Sequence, residues 1–279
     1  MVAAAQHAGP EGGLTYEDLN VVVNEVSIQV SVVRRDGELP PIVFLHGFGS
    51  SKEDYVDLAI RPMFRGRPFV AFDAPGCGAT ICDDLSQISI PFQVATALVV
   101  LERLGIQRFH IAGHSMGGLG ALLLAHQEQD RVISFIDIKG NLAPEDCFLS
   151  RQIFTFASDD PQSFMDAFTA RTRSALSYSS ALYSASLRQK VNVGAVRGIF
   201  ESMVQLSDNN DLLGKFLSLP CPRMYMYGEE YVGLSYLGKL AENGVELAMI
   251  PECGHFPMYS NPVEMWKRIA LFIERVEQS

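Results

Sequence analysis

The chain has little positive charge, no regular cysteine spacing and no long apolar run. Its 22 lysines and arginines are outnumbered by 32 aspartates and glutamates, which gives a net charge of −10. No basic stripe is present that could neutralise nucleic-acid phosphates. No apolar run approaches the roughly 20 residues that a membrane-spanning helix needs. We therefore expect neither a nucleic-acid partner nor a membrane partner.

Cysteine is scarce, and no two cysteines have the CxxC spacing of metal and redox sites. Their odd number favours free thiols in a reducing compartment; they are Cys77, Cys82, Cys147, Cys221 and Cys253. Glu145–Cys147 does not predict a metal site, because adjacent loop residues cannot converge on one ion. Met1–Gly13 lacks the apolar segment of a signal peptide and is predicted to be a flexible leader. We expect a cytoplasmic protein with no metal and no cofactor.

Apolar residues make up 48% of the chain and charged residues 19%, which predicts a substantial core. Two short apolar runs are typical of strands buried on both faces of a sheet, Pro41–Leu45 and Pro68–Phe72, and two further strands are predicted, the apolar run Phe109–Ala112 and Val132–Ile138. Helical patterns at Lys52–Ile60 and Pro91–Leu104 alternate with these runs. Two alternating strands within Val21–Val33 precede them and end in a turn at Arg34–Gly37. The order predicts an α/β fold, with a mostly parallel sheet and helices on both faces.

The alternation stops between residues 140 and 220, where no strand is predicted. Four segments there have helical spacing: Ser163–Arg173, Ala175–Leu187, Val193–Leu206 and Asp211–Leu217. We interpret residues 140–220 as a helical cap inserted into a core of residues 1–139 and 221–279, since so long an excursion is usually functional. The alternative is a set of extra packing helices. The core then resumes with four predicted elements: strand Arg223–Gly228, helix Leu234–Glu242, strand Glu246–Ile250 and helix Pro262–Val276.

A serine stands between the third apolar run and a helical segment, in the sequence Gly113-His114-Ser115-Met116-Gly117. Strand, tight turn and helix with a hydroxyl at the apex is the pattern of a nucleophile elbow. It predicts a strained backbone at Ser115 and no room for a side chain at Gly113 or Gly117. The alternative is a plain turn in which the serine caps the helix. We favour Ser115 as a nucleophile.

From about residue 20 onward, the order of motifs resembles the α/β-hydrolase superfamily. Four motifs carry this resemblance: His46-Gly47-Phe48-Gly49, Asp73-Ala74-Pro75-Gly76-Cys77-Gly78, the serine turn and Gly254-His255. The resemblance implies the α/β-hydrolase fold with a catalytic triad in the order serine, acid, histidine. His255 is then the base, and the backbone N–H groups of Phe48 and Met116 form the oxyanion hole. His114, next to the nucleophile, is expected to point away from it.

The resemblance leaves the triad acid open. Many members carry an aspartate three residues after the glycine that ends the seventh strand, and that position is Tyr231 here. Glu229 and Glu230 are displaced from it by one or two positions. We keep both as candidates for the acid.

Other members place the acid about 24 residues beyond the nucleophile. Lys139 occupies that position, and Asp137 lies two residues earlier on the same face of the strand. A lysine near the base would lower the pKa of His255 and leave its imidazolium unstabilised. The candidates are therefore Asp137, Glu230 or Glu229, or no competent acid.

These residues predict a serine hydrolase of small to medium apolar esters or lactones, acting through an acyl-enzyme. Aromatic residues of the predicted cap indicate an aromatic or aliphatic ligand; they are Phe154, Phe156, Phe164, Phe168, Tyr178 and Tyr183. Hydrolysis of a carbon–carbon bond beside a ketone is an alternative with the same triad. Two further alternatives are an impaired ligand-binding or signalling protein and an enzyme that rearranges or cyclises a metabolite without hydrolysis.

Overall fold

The computed structural model of the protein describes residues 13–279. The leader predicted for Met1–Gly13 lies, except for its last residue, outside the described residues. Among the residues described, all five cysteines are free thiols. No helix within that part of the chain is long and apolar enough to cross a membrane.

Nine strands of the described residues form one sheet. They are β1 Leu14–Val23, β2 Val26–Arg35, β3 Ile42–Leu45, β4 Phe69–Phe72, β5 Ile81–Cys82, β6 Phe109–His114, β7 Val132–Ile138, β8 Arg223–Gly228 and β9 Glu246–Ile250. The spatial order is β1-β2-β4-β3-β6-β7-β8-β9, and β5 pairs with β2. All pairings along the spatial order β4-β3-β6-β7-β8-β9 are parallel, whereas β2 pairs antiparallel with β1, β4 and β5. The predicted α/β class with a mostly parallel sheet is confirmed.

Helices connect these strands. The α-helices are α1 Ile90–Arg103, α2 Met116–Gln127, α3 Pro161–Arg173, α4 Tyr178–Lys190, α5 Val196–Asn209, α6 Leu212–Ser218, α7 Leu237–Glu242, α8 Pro257–Ser260 and α9 Pro262–Gln278. Short 3₁₀ helices cover Lys52–Ile60, Pro62–Phe64, Leu85–Gln87, Pro144–Cys147, Ser150–Phe154, Val193–Ala195 and Glu229–Tyr231. The helix predicted at Lys52–Ile60 thus has the predicted bounds but the tighter 3₁₀ geometry.

The first hairpin extends beyond its predicted bounds at both ends. Its turn is made by Asn24 and Glu25, both with positive φ, of 49° and 68°. The turn predicted at Arg34–Gly37 was placed too early, because β2 continues through Arg35 to pair with β4. Arg35 is buried there, and its guanidinium donates hydrogen bonds to three backbone carbonyls, those of Ala59, Phe64 and Arg67. These bonds offset the cost of burying its charge.

The central strands explain where the site lies. All residues of β3, β4 and β6 are buried, as expected for strands covered on both faces. In a parallel sheet the carboxyl ends of neighbouring strands meet at one edge, and Leu45, Gly113 and Asp137 lie side by side there. Helices α3 to α6 follow β7 and precede β8. Loops after the strands and residues of this helical segment therefore meet at the same edge.

Candidate active site

Ser115 lies at the turn between β6 and α2 and has φ 52° and ψ −116°, a conformation that L-residues rarely adopt. A Cβ atom at Gly113 would collide with the backbone carbonyl of Gly117. A Cβ atom at Gly117 would in turn collide with the backbone of Leu45. The turn has the strain and close packing that the glycine spacing predicts. It presents the Ser115 side chain at the carboxyl edge of the sheet.

The structure brings Ser115 and His255 together. Ser115 Oγ lies 2.9 Å from His255 Nε2, and His255 belongs to the loop after β9. For His255 to take the serine proton, the hydroxyl donates to Nε2, and the imidazole proton then lies on Nδ1. Two residues 140 positions apart in sequence thus form the nucleophile–base contact of a serine hydrolase.

No polar atom of the described residues accepts a hydrogen bond from His255 Nδ1, although that atom is buried. The side chain of Asp137 is fully buried, and its Oδ1 accepts a hydrogen bond from the Gly140 N–H at 2.6 Å. Glu229 Oε2 accepts one from the Glu252 N–H at 2.9 Å. The carboxylate of Glu230 lies against the backbone of Gly254. None of the three candidate acids reaches the base.

The second expected acid position carries a buried ion pair instead. Lys139 Nζ lies 2.6 Å from Asp146 Oδ1, and both side chains are about 1% exposed. Asp146 also accepts hydrogen bonds from the Tyr236 hydroxyl at 2.9 Å and from the N–H groups of Leu142 and Ala143. The Lys139 ammonium lies 4.8 Å from the ring centre of Tyr231. Its charge is therefore held in place close to the predicted active site.

These surroundings set the protonation of His255. Burial lowers its pKa well below 6.5, and the nearby His114 and Lys139 lower it further. His255 is consequently neutral at pH 7, as a general base must be. The pKa of Asp137 shifts in the opposite direction, because burial raises the pKa of its carboxyl to about 7.

The two proposed oxyanion donors belong to different segments, Met116 to α2 and Phe48 to the loop after β3. Met116 is the first residue of α2, so its N–H has no acceptor within the helix. Phe48 lies in a turn closed by a hydrogen bond from the Ser50 N–H to the Gly47 carbonyl, 3.1 Å long. His46 braces this turn: its Nε2 accepts from the Ala74 N–H at 2.9 Å, and its Nδ1 therefore donates to the Gly47 carbonyl at 2.8 Å.

His114 is a site residue that sequence reasoning missed. Its Nε2 lies 2.8 Å from the backbone carbonyl of His255, so the ring donates a hydrogen bond to the loop that carries the base. Burial lowers the pKa of His114 to about 4, which keeps it neutral. Its place beside the nucleophile suggested only that it faces the other side of the turn. The expectation that His114 points away from the nucleophile is wrong, because its ring lines the same cavity as Ser115 and lies 5.0 Å from the His255 ring.

The cavity beside Ser115 is small and aromatic. Its volume is about 30 Å³, room for roughly one water molecule. Aromatic side chains dominate its lining; they are Phe48, Phe148, Phe168, Tyr183, Phe200 and Phe256. Of the aromatic residues expected to face the ligand, Phe168 and Tyr183 line it. Phe154 and Tyr178 are instead 52% and 76% exposed, and Phe156 and Phe164 pack against each other.

Residues 42–268 match the model of the alpha/beta hydrolase family, and the chain belongs to that family. The sn-1-specific diacylglycerol lipase ABHD11 of Xenopus tropicalis is 30% identical over 188 residues, which cover 65% of this chain and 58% of the frog protein. The match thus spans less than two thirds of that relative. The mouse protein of the same name is 25% identical, over 91% of this chain and 87% of its own length. The pimeloyl-[acyl-carrier protein] methyl ester esterase of Aeromonas salmonicida is 31% identical over 43% of each chain.

Solved structures show the same fold. A mutant of the N-acyl homoserine lactonase AidH with N-hexanoyl homoserine superposes with a TM-score of 0.74 at 17% identity, covering 95% of this chain and 98% of that one. A carboxylesterase of Nitrososphaera gargenis gives 0.73 at 18% identity, with 94% and 99% covered. The predicted superfamily and fold are confirmed, and the relatives named above are hydrolases.

Proposed function

We propose that this protein is a serine hydrolase of small to medium apolar carboxylic esters or lactones and acts through an acyl-enzyme. The 2.9 Å contact between Ser115 Oγ and His255 Nε2 carries the proposal. A serine hydroxyl becomes an effective nucleophile at neutral pH when a positioned base accepts its proton. The matched relatives named as a lipase and a methyl ester esterase support an ester substrate.

The first half-reaction forms the acyl-enzyme. Ser115 Oγ bonds to the substrate carbonyl carbon while its proton passes to His255 Nε2, and the carbonyl electron pair moves onto oxygen. The N–H groups of Phe48 and Met116 hold this oxyanion; one such donor is typically worth about 3 kcal/mol. The bond to the leaving oxygen then breaks, and that oxygen takes the proton from Nε2.

The second half-reaction repeats these steps with water. His255 accepts a proton from water as the hydroxide bonds to the acyl carbon, and it returns that proton to Ser115 Oγ as the acid leaves. In a lactone the leaving oxygen stays attached to the acyl group, so the product is a single hydroxy acid. The chemistry is otherwise the same.

The lining of the cavity favours an apolar acyl group. Six aromatic side chains line the cavity together with Ser115, and the carboxylate in that lining, Asp146, is paired with Lys139 and Tyr236. A cavity of about 30 Å³ is smaller than an acyl chain. We therefore infer that residues 140–220 act as a cap whose aromatic side chains move aside when substrate enters.

A second candidate is a ligand-binding protein that turns over slowly or not at all. The observation that favours it is that His255 Nδ1 has no hydrogen-bond partner within residues 13–279, while the Lys139 ammonium is nearby. An imidazolium formed there lacks the carboxylate that stabilises it in a complete triad. Such a protein would bind the same apolar esters in the same cavity.

Hydrolysis of p-nitrophenyl esters of increasing acyl length, and of an aliphatic lactone, separates the two. A serine hydrolase releases product from the wild type and none from Ser115→Ala. A binding protein gives saturable ligand binding with equal, background release from both proteins. That second result would overturn the proposal.

A further inference from the structure

Tyr183 of α4 contacts both loops that serve Ser115. Its hydroxyl donates a hydrogen bond to the Phe48 carbonyl at 2.7 Å. Its ring stacks on Phe256, the residue after the base, with ring centres 4.4 Å apart and an interplanar angle of 28°. Tyr183 is only 3% exposed, so both contacts are shielded from water.

The Phe48 carbonyl belongs to the peptide that decides the shape of the oxyanion loop, residues 47–50. The Ser50 N–H closes this turn on the Gly47 carbonyl, and Gly49, its third residue, has φ 72°. A positive φ at the third position defines a type II turn, whereas a type I turn has the central peptide flipped. That central peptide joins Phe48 to Gly49.

Gly49 also permits the close approach of α4. A Cβ atom there would lie 2.6 Å from the Tyr183 hydroxyl oxygen and would collide with Leu187. The glycine thus supplies both the positive φ and the space that Tyr183 needs to reach the Phe48 carbonyl. The turn of residues 47–50 and helix α4 therefore pack closely against each other at Gly49.

We propose that Tyr183 is a positioning residue: its hydroxyl fixes the Phe48–Gly49 peptide and so holds the oxyanion loop, which carries the Phe48 N–H, in its type II turn. The role rests on the proposed serine hydrolase function. Because Tyr183 belongs to α4, the oxyanion loop is held by this hydrogen bond only while α4 lies over the site. Substrate entry past α4 and assembly of the oxyanion hole are therefore coupled.

Tyr183→Phe removes the hydroxyl and keeps the ring that stacks on Phe256. We expect kcat for a p-nitrophenyl ester to fall about tenfold, the worth of roughly one hydrogen bond, while KM changes by less than about twofold. Tyr178→Phe is the matched control, because it removes the same atom from an exposed tyrosine of the same helix. Equal kcat in Tyr183→Phe and in the control would overturn the proposal.

A second readout does not depend on turnover. Amide hydrogen exchange of residues 47–50 is expected to be faster in Tyr183→Phe than in the wild type and in Tyr178→Phe, with exchange in β3 unchanged. Unchanged exchange in the loop would contradict the locking role. If the wild type releases no product from any ester, the hydrolase proposal fails, and the exchange comparison still decides whether Tyr183 holds the loop.

Discussion

The Lys139 ammonium lies 4.8 Å from the ring centre of Tyr231. These are the two residues that stand where α/β-hydrolases are expected to carry the triad acid. The Tyr231 ring in turn faces the His255 imidazole, with ring centres 6.1 Å apart. An aromatic ring and a cation thus stand at the two positions expected to carry the carboxylate, and Asp146 pairs with that cation.

Restoring a carboxylate at this position should improve catalysis. We expect Lys139→Glu/Asp146→Asn to hydrolyse esters at least about tenfold faster than Lys139→Gln/Asp146→Asn, because only the first can stabilise the His255 imidazolium by charge. Asp146 is changed in both so that two carboxylates do not meet in the core. The assay is kcat/KM at pH 7.5.

The two double variants have nearly the same shape and differ in one charge, so the second controls for repacking. The single change Lys139→Gln would leave Asp146 buried without its cation, a loss that typically costs about 3–5 kcal/mol of stability. Equal rates in the two double variants would show that position 139 does not act on the base.

The wild type should stay active at a lower pH than a histidine base with an ordinary pKa would allow. The pKa of His255 is lowered below 6.5, so its neutral, basic form persists as the pH falls through 6.5. We expect kcat/KM to stay level from pH 8 to below 6.5 and to decline only at lower pH. In Lys139→Gln/Asp146→Asn the decline should begin at higher pH, because a positive charge that lowers the pKa is gone. A wild-type decline centred near pH 7 would contradict this account.

Asp137→Asn should leave catalysis nearly unchanged, because Asp137 binds the Gly140 N–H and not His255. Its pKa is raised from 3.8 to about 7, so the fold favours the protonated carboxyl. The protonated Asp137 carboxyl therefore contributes to the free energy of unfolding of the wild type. This contribution is fully present below pH 3.8 and is lost as the pH rises through about 7. Asparagine does not ionise, so the stability gained by the variant should grow between those pH values and then level off.

Urea unfolding of both proteins at several pH values measures that gain, and ester hydrolysis at pH 7.5 measures activity. Loss of a true triad acid lowers kcat by about 10⁴-fold. A loss of that size in folded Asp137→Asn would identify Asp137 as the acid and would refute the placement described above.

The sequence predicts the core strands well and the solvent-facing elements less well. Val132–Ile138 and Arg223–Gly228 have the predicted bounds, because all but one residue of each strand is buried and the buried residues are mostly apolar. The part of β1 before Val21 was not predicted. Leu14–Asn20 lacks a regular alternation of polar and apolar residues and is half-buried or exposed throughout, so its strand character comes from pairing with β2.

The site divides in the same way. Ser115 and its glycines are visible because a tight turn leaves a local pattern. The sequence does not reveal the partner of Lys139 or the roles of His114 and Tyr183. Each of these depends on a contact with a loop from another part of the chain. Spacing from Ser115 identified position 139 but could not show that Asp146 would pair with it.

The most direct measurement is covalent labelling by a fluorophosphonate at pH 7.5, followed by mass spectrometry of the intact chain and of its peptides. We expect one adduct per chain, located on Ser115, absent from Ser115→Ala and formed about 10²-fold or more slowly in His255→Ala. Failure of the folded wild type to react, or an adduct that persists in Ser115→Ala, would contradict the claim that Ser115 and His255 form a working nucleophile and base.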